Sequence, residues 1–162
     1  MARGLSHSTV PAQERSQTMT YQFARINLKK TTYQPRVDWY YITEPDIAEL
    51  QDIYRTYCIY KHFGSVMPLF DSQFTEPGMD LIGYRDQGEL VAFSMMKRYD
   101  NKNLLAAQFA WNYRKPRLRL GISSLQTECA IYRERGFEYL YLDQAHLYKQ
   151  DLEGFEILGP LE

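Results

Sequence analysis

The sequence predicts an α+β (α/β) fold, a single domain on a mixed, mostly antiparallel central sheet flanked by helices, and three observations predict it. Between residues 80 and 112, three β-rich runs alternate with polar turns that contain Gly or Asn. Two stretches, 43–64 and 121–136, carry apolar residues at helical spacing between start and stop signals. Gly-Phe-Glu occurs twice, at 136–138 and 154–156, each time ahead of hydrophobic residues suited to a sheet.

A chain of 162 residues suits one unit with its own core, since such units run to ~100–200 residues, and its 44% hydrophobic content can build that core. With 19 basic against 20 acidic side chains the formal charge is −1, so no overall field draws the protein to nucleic acid or membrane. Any polyanion site has to be local. Cys58 and Cys129 lie far apart without metal-ligand spacing, which argues against a disulfide framework or a metal site and reads as two buried thiols in a reducing compartment. No run of ~18 apolar residues occurs and the first residues lack the apolar centre of a secretion signal, so a soluble, cytoplasmic protein is expected.

Residues 1–20, rich in Ser, Thr, Gln and Arg, read as a flexible N-terminal tail ahead of a domain spanning 21–162. YQFARINL and VDWYYIT are expected strands, separated by a polar connection with Pro35. In TEPDIAELQDIYRTYCIYKHFG, Thr43 is the expected cap, Pro45 takes an early helical position and Gly64 is the stop. Pro68 and Pro77 interrupt the next segment, which reads as a loop with one short helix. Strands follow near 80–85, 90–98 and 104–112, turning at DQGE and YDNKN. The basic stretch RKPRLRL feeds a helix in which Ile122, Leu125, Cys129 and Tyr132 recur at helical spacing up to Gly136. FEYLYLD is a strand, QAHLYKQDLE a short helix or turn, and FEILG the last strand. Each Gly-Phe-Glu thus marks a chain leaving a helix or turn: Gly supplies the left-handed exit, and Phe is the first residue packed under the sheet.

This order of elements, with GELVAFSMM, LLAAQFAWNY, LRLGISSLQTECAIYRERGFEYLYLD and AHLYKQDLEGFEILG, resembles the Gcn5-related N-acetyltransferase (GNAT) superfamily over roughly residues 37 to 160. The resemblance implies an acyl-CoA N-acyltransferase-like fold. It implies transfer of an acetyl or other acyl group from acyl-coenzyme A, with no metal, to an amine of a small molecule or peptide. The donor's pyrophosphate is then expected where the loop opens the helix, at Arg117, Arg119, Leu120, Gly121, Ile122, Ser123 and Ser124, because unpaired amides and the helix dipole favour an anion there. Leu118 and Ser123 depart from the family, which carries Gln or Arg and a second Gly or Ala at those places. A solvated basic turn is the alternative reading of the same residues.

The resemblance also places the oxyanion on a backbone amide around Phe109, Ala110 or Trp111 and makes Tyr148 the general acid, although Gly154 follows it by six residues where the family has four. Glu128, Asp143 and His146 stay open as the base, with Asp100, His62 or an ordered water as further choices, because the strand from Leu104 to Tyr113 carries no acid. Tyr57, Tyr60, His62 and Phe63 line the region where the acceptor should enter.

LRLGISSLQTECAIYRERGFEYLYLDQAHLYK is also similar to the C-terminal half of aminoacyl-tRNA–protein transferases and the related FemAB-type enzymes, which keep this fold and take an aminoacyl group from tRNA. Leu120-Gly121, Gly136, YLYL and Tyr148-Lys149 carry that similarity, and under this alternative tRNA is the partner, gripped by the stripe from Arg114 to Arg119. A non-catalytic binding protein of the same fold is the third reading, suggested by the missing second glycine and the unassigned base. Superfamily members are often dimers, and an aromatic-rich surface would favour a homodimer.

Overall fold

The computed structural model describes residues 23–62, 68–113, 118–143 and 149–159. The meander forms as expected. Strands β3 (Met79–Asp86) and β4 (Glu89–Arg98) are joined by Gln87 and Gly88, both at positive φ, the two-residue turn whose twist matches antiparallel strands. The turn into β5 (Asn103–Trp111) is closed by Asp100, whose Oδ1 accepts from the amides of Lys102 and Asn103, both at 2.8 Å.

With β1 (Phe23–Asn27), β2 (Asp38–Tyr41), β6 (Tyr139–Leu142) and β7 (Phe155–Gly159) these make one seven-stranded sheet, ordered β2-β3-β4-β5-β6-β1-β7. Among the described residues only the β5–β6 pair is parallel. Helices α1 (Ile47–Lys61) and α2 (Leu120–Glu134) take opposite faces. Leu81 and Phe93 pack with Leu50 and Ile53 of α1, while Ile82 and Tyr84 pack with Leu125, Cys129 and Tyr132 of α2. Successive residues of a strand point to opposite faces, which accounts for the division. The expected α+β class with a mostly antiparallel sheet is what forms.

Several local expectations need correction. The cap of α1 is Asp46, whose side chain accepts from the Glu49 amide, and not Thr43. Pro45 biases Glu44 away from helical backbone, which disfavours a helix opened at Glu44 behind a Thr43 cap. It ends at His62, which adopts the left-handed conformation (φ 56°) before the expected stop at Gly64, a position outside the described residues. Cys129 is buried as expected, but Cys58 is only half-buried.

Both Gly-Phe steps take the expected form. Gly136 and Gly154 have φ of 88° and 73°, and Phe137 and Phe155 pack against the α2-side core. At Gly154 a side chain is also excluded by space: a Cβ would lie 2.4 Å from the Asn27 carbonyl oxygen. The first two strands, consecutive in sequence, end far apart. β2 is an outer edge, whereas β1 is inserted between β6 and β7 and is antiparallel to both. Arg25 ties the three together, pairing with Glu156 at 2.8 Å and lying 3.8 Å above the Tyr139 ring.

Candidate active site

The site begins as a defect in the sheet. β6 pairs with β5 from Asn103↔Tyr139 to Ala106↔Leu142 and then ends, while β5 runs on to Trp111 with β4 alone as its partner among the described residues. At the point of parting β5 bulges: Met96 faces Ala106 and Met95 faces Gln108, so Ala107 is the extra residue. One backbone edge of residues 107–111 therefore has no described strand beside it. A cavity of about 590 Å³ opens there, between that edge, Leu142, the start of α2 and the end of α1, a size in the range of small-molecule sites.

Helix α2 starts at the rim. Its N-cap Arg119 is left-handed (φ 49°), and the Arg119 carbonyl accepts from the amides of Ile122 and Ser123. The amides of Leu120 and Gly121 fall outside that first turn of helical bonding. A Cβ on Gly121 would meet nothing within 4 Å, so the chain presents open space at this point.

Further along α2, Glu128 reaches the cavity wall although it is only 3% exposed. Two hydroxyls from the sheet, Tyr84 on β3 and Ser94 on β4, donate to the same carboxylate oxygen, Oε2, with Ser94 at 2.5 Å. Burial pushes the Glu128 carboxyl up to about 7, against the pull of the Ser94 and Tyr84 hydroxyls and the charge of Lys149. Burial holds the Tyr84 phenol well above its ordinary value, with Glu128 adding to the effect, so it remains a donor. Lys149, also on the wall, is lowered by burial and drawn back up by Glu128 and Asp143. A carboxyl poised near neutrality in a cleft can take a proton from an amine and pass it on.

Aromatic rings crowd the α1 end. Tyr113 stacks on Tyr57 and Tyr60 at centroid distances of 5.8 and 5.0 Å, and Trp111 lies 4.0 Å from Tyr113. The Tyr113 backbone is left-handed (φ 59°), and its buried hydroxyl has no hydrogen-bond partner among the described residues.

No family model matches the chain, and no curated protein matches it. Solved structures do. The C-terminal domain of an Agrobacterium fabrum protein assigned as lysylphosphatidylglycerol synthetase is similar with a TM-score of 0.60 at 14% identity, over 77% of this chain and 47% of that one. A GCN5-related N-acetyltransferase from Anabaena variabilis gives 0.59 at 8% identity, over 91% and 41%. The Saccharomyces cerevisiae N-myristoyltransferase, solved with bound myristoyl-CoA, gives 0.58 at 11%, over 83% and 46%. The chain has the GCN5-related N-acetyltransferase fold. It spans less than half the length of each of these three proteins.

Within this GNAT fold the residues singled out from sequence divide into three groups. Phe109, Trp111, Arg119, Leu120, Gly121, Ile122, Ser124, Glu128 and Tyr57 share the cavity wall. Others are placed elsewhere: the Ala110 side chain packs on the α1 side, and the Ser123 hydroxyl is turned back onto the Leu118 carbonyl at 3.3 Å. Tyr60 and His62 are exposed at the end of α1, Asp143 is exposed after β6, and Asp100 closes its turn. Phe63, Arg117, His146 and Tyr148 lie outside the described residues.

The cavity also holds groups that sequence reading did not raise: Ser94, Tyr113 and, as a site residue, Lys149, with Tyr84 behind Glu128. One signal was available. Glu128 falls three residues after Leu125 and four before Tyr132, on the apolar stripe of α2, where an acid has to find donors. Among the described residues no helix is long and apolar enough to cross a membrane.

Proposed function

We propose that the protein is an N-acyltransferase that moves an acyl group from acyl-coenzyme A to an amine, with Glu128 as general base. The observation that carries this reading is a buried carboxyl, oriented by two hydroxyls and raised to about 7, on the wall of a cavity that opens where two parallel strands part. The donor's arm would lie along the open edge of β5, its phosphates toward the Leu120 and Gly121 amides and Arg119. Glu128 takes the proton from the acceptor ammonium. The neutral nitrogen then attacks the thioester carbonyl, whose oxyanion an amide of residues 107–111 can receive. A C–N bond forms, the C–S bond breaks, and the thiolate leaves with a proton from the general acid, the role that the family resemblance gives to Tyr148.

One observation favours the aminoacyl-tRNA alternative: the Ile122 and Ser123 amides are bonded to Arg119, which leaves a small cradle for a pyrophosphate. Thermal shift with acetyl-CoA, desulfo-CoA and bulk tRNA separates the readings. Stabilisation by both coenzyme forms and thiol release with an amine support the first. Stabilisation by tRNA alone supports the second, and no response to any ligand leaves a protein that has kept the fold without the chemistry. In the first case Glu128→Gln should lower kcat about 10²–10⁴-fold with coenzyme binding retained. The parent rate should climb with pH and level off above about 7, where Glu128 is ionised.

A further inference from the structure

We propose that the cavity accepts an apolar α-amino acid, with its ammonium at Glu128, its carboxylate at Lys149 and its side chain against the aromatic and aliphatic wall. As a statement about the acyl acceptor this rests on the transferase reading, but as a statement about binding it stands on the cavity alone.

Among the described residues four charged ones line the cavity, and they divide by depth. Lys61 and Arg119 are exposed and mark the mouth, whereas Glu128 is buried and Lys149 half-buried, so the interior presents one group of each sign. Lys149 acts electrostatically on Glu128 and on Asp143, so its ammonium lies in the field of one buried carboxyl on the wall and one exposed carboxyl off it. A ligand that brings a single cation inward adds a like charge beside Lys149, and one that brings a single anion adds a like charge beside Glu128. A zwitterion adds neither. It sets its ammonium by the carboxyl and its carboxylate by the ammonium, so that no unbalanced charge leaves water.

The rest of the interior selects for an apolar body. Phe109, Leu125 and Leu142 line it, with Tyr57, Trp111 and Tyr113 toward α1. At about 590 Å³ the space exceeds what an amino acid fills and leaves room for an acyl arm beside it. Strongly polycationic acceptors fit less well, because they would crowd positive charge against Lys149, Lys61 and Arg119 together.

The test compares L-phenylalanine and L-leucine with their decarboxylated counterparts, phenethylamine and isopentylamine. Binding is read by calorimetry without any acyl donor, and acylation by thiol release with acetyl-CoA. The amino acids should bind at least 10-fold more tightly than the amines. Lys149→Met should erase that preference and Lys149→Arg should keep it. Equal binding of amine and amino acid, or a preference that survives Lys149→Met in a variant with unchanged near-ultraviolet dichroism, overturns the proposal. Selective amino-acid binding without thiol release upholds the pocket and removes the transferase reading. Acylation of the amines in preference to the amino acids does the reverse.

Discussion

Glu128 links the chemistry of the cavity to the stability of the protein. Its folded-state value of about 7 lies above the ordinary 4.5, so its stabilising contribution is complete below about pH 4.5 and is lost as the pH rises to 7. The loss amounts to roughly 3 kcal/mol once ionisation is complete. Glutamine can still accept from Tyr84 and Ser94 but carries no charge. Glu128→Gln should therefore gain on the parent between pH 5 and pH 7, reaching roughly 3 kcal/mol at pH 8 in urea unfolding. A difference that stays constant with pH would show that folding leaves the ionisation of the carboxyl unperturbed, and one that goes on growing beyond pH 8 would show that it does not ionise where it sits. The two hydroxyls favour the charged form, so Tyr84→Phe and Ser94→Ala should each move the ascending limb of the pH–rate profile to higher pH. An unmoved limb would assign them to packing alone.

At the scale of elements, the two Gly-Phe steps look alike in sequence and differ in what surrounds them. Gly136 has only its backbone to satisfy: φ is 88°, and a Cβ would meet nothing within 4 Å. Gly136→Ala should cost about 1–2 kcal/mol, the ordinary penalty of left-handed backbone. Gly154 needs the same backbone and also passes the Asn27 carbonyl, so Gly154→Ala adds about 1–3 kcal/mol of steric strain. Chemical denaturation of the two variants should rank them in that order. Sequence alone located both glycines and every strand they precede, because turn chemistry is local. It misplaced the start of α1, since Thr43 and Asp46 are both good caps and the choice falls to Pro45 between them. Glu128 could be named as one candidate among several. Its partners Tyr84 and Ser94, 44 and 34 residues away, come to it only through the packing of α2 on the sheet.

At the scale of the whole molecule, the least legible feature is the placing of β1, because strand pairing between residues 23–27 and 139–159 leaves no local mark. It is also the feature on which the closed side of the cavity depends. Ala24 pairs with Leu142, the last residue of β6 and part of the cavity wall, so β1 braces the point at which β5 and β6 begin to part. Ile26, fully buried in β1, should cost about 2–4 kcal/mol when changed to Ala. Ile157, 48% exposed on the outer strand β7, should cost less than about 0.5 kcal/mol. Hydrogen exchange distinguishes an integral strand from an appended one. If β1 is part of the unit that shapes the site, Ile26→Ala should speed exchange of the β1 and β6 amides together and weaken ligand binding in the cavity; acceleration confined to β1 would mean that β6 and the cavity hold without it.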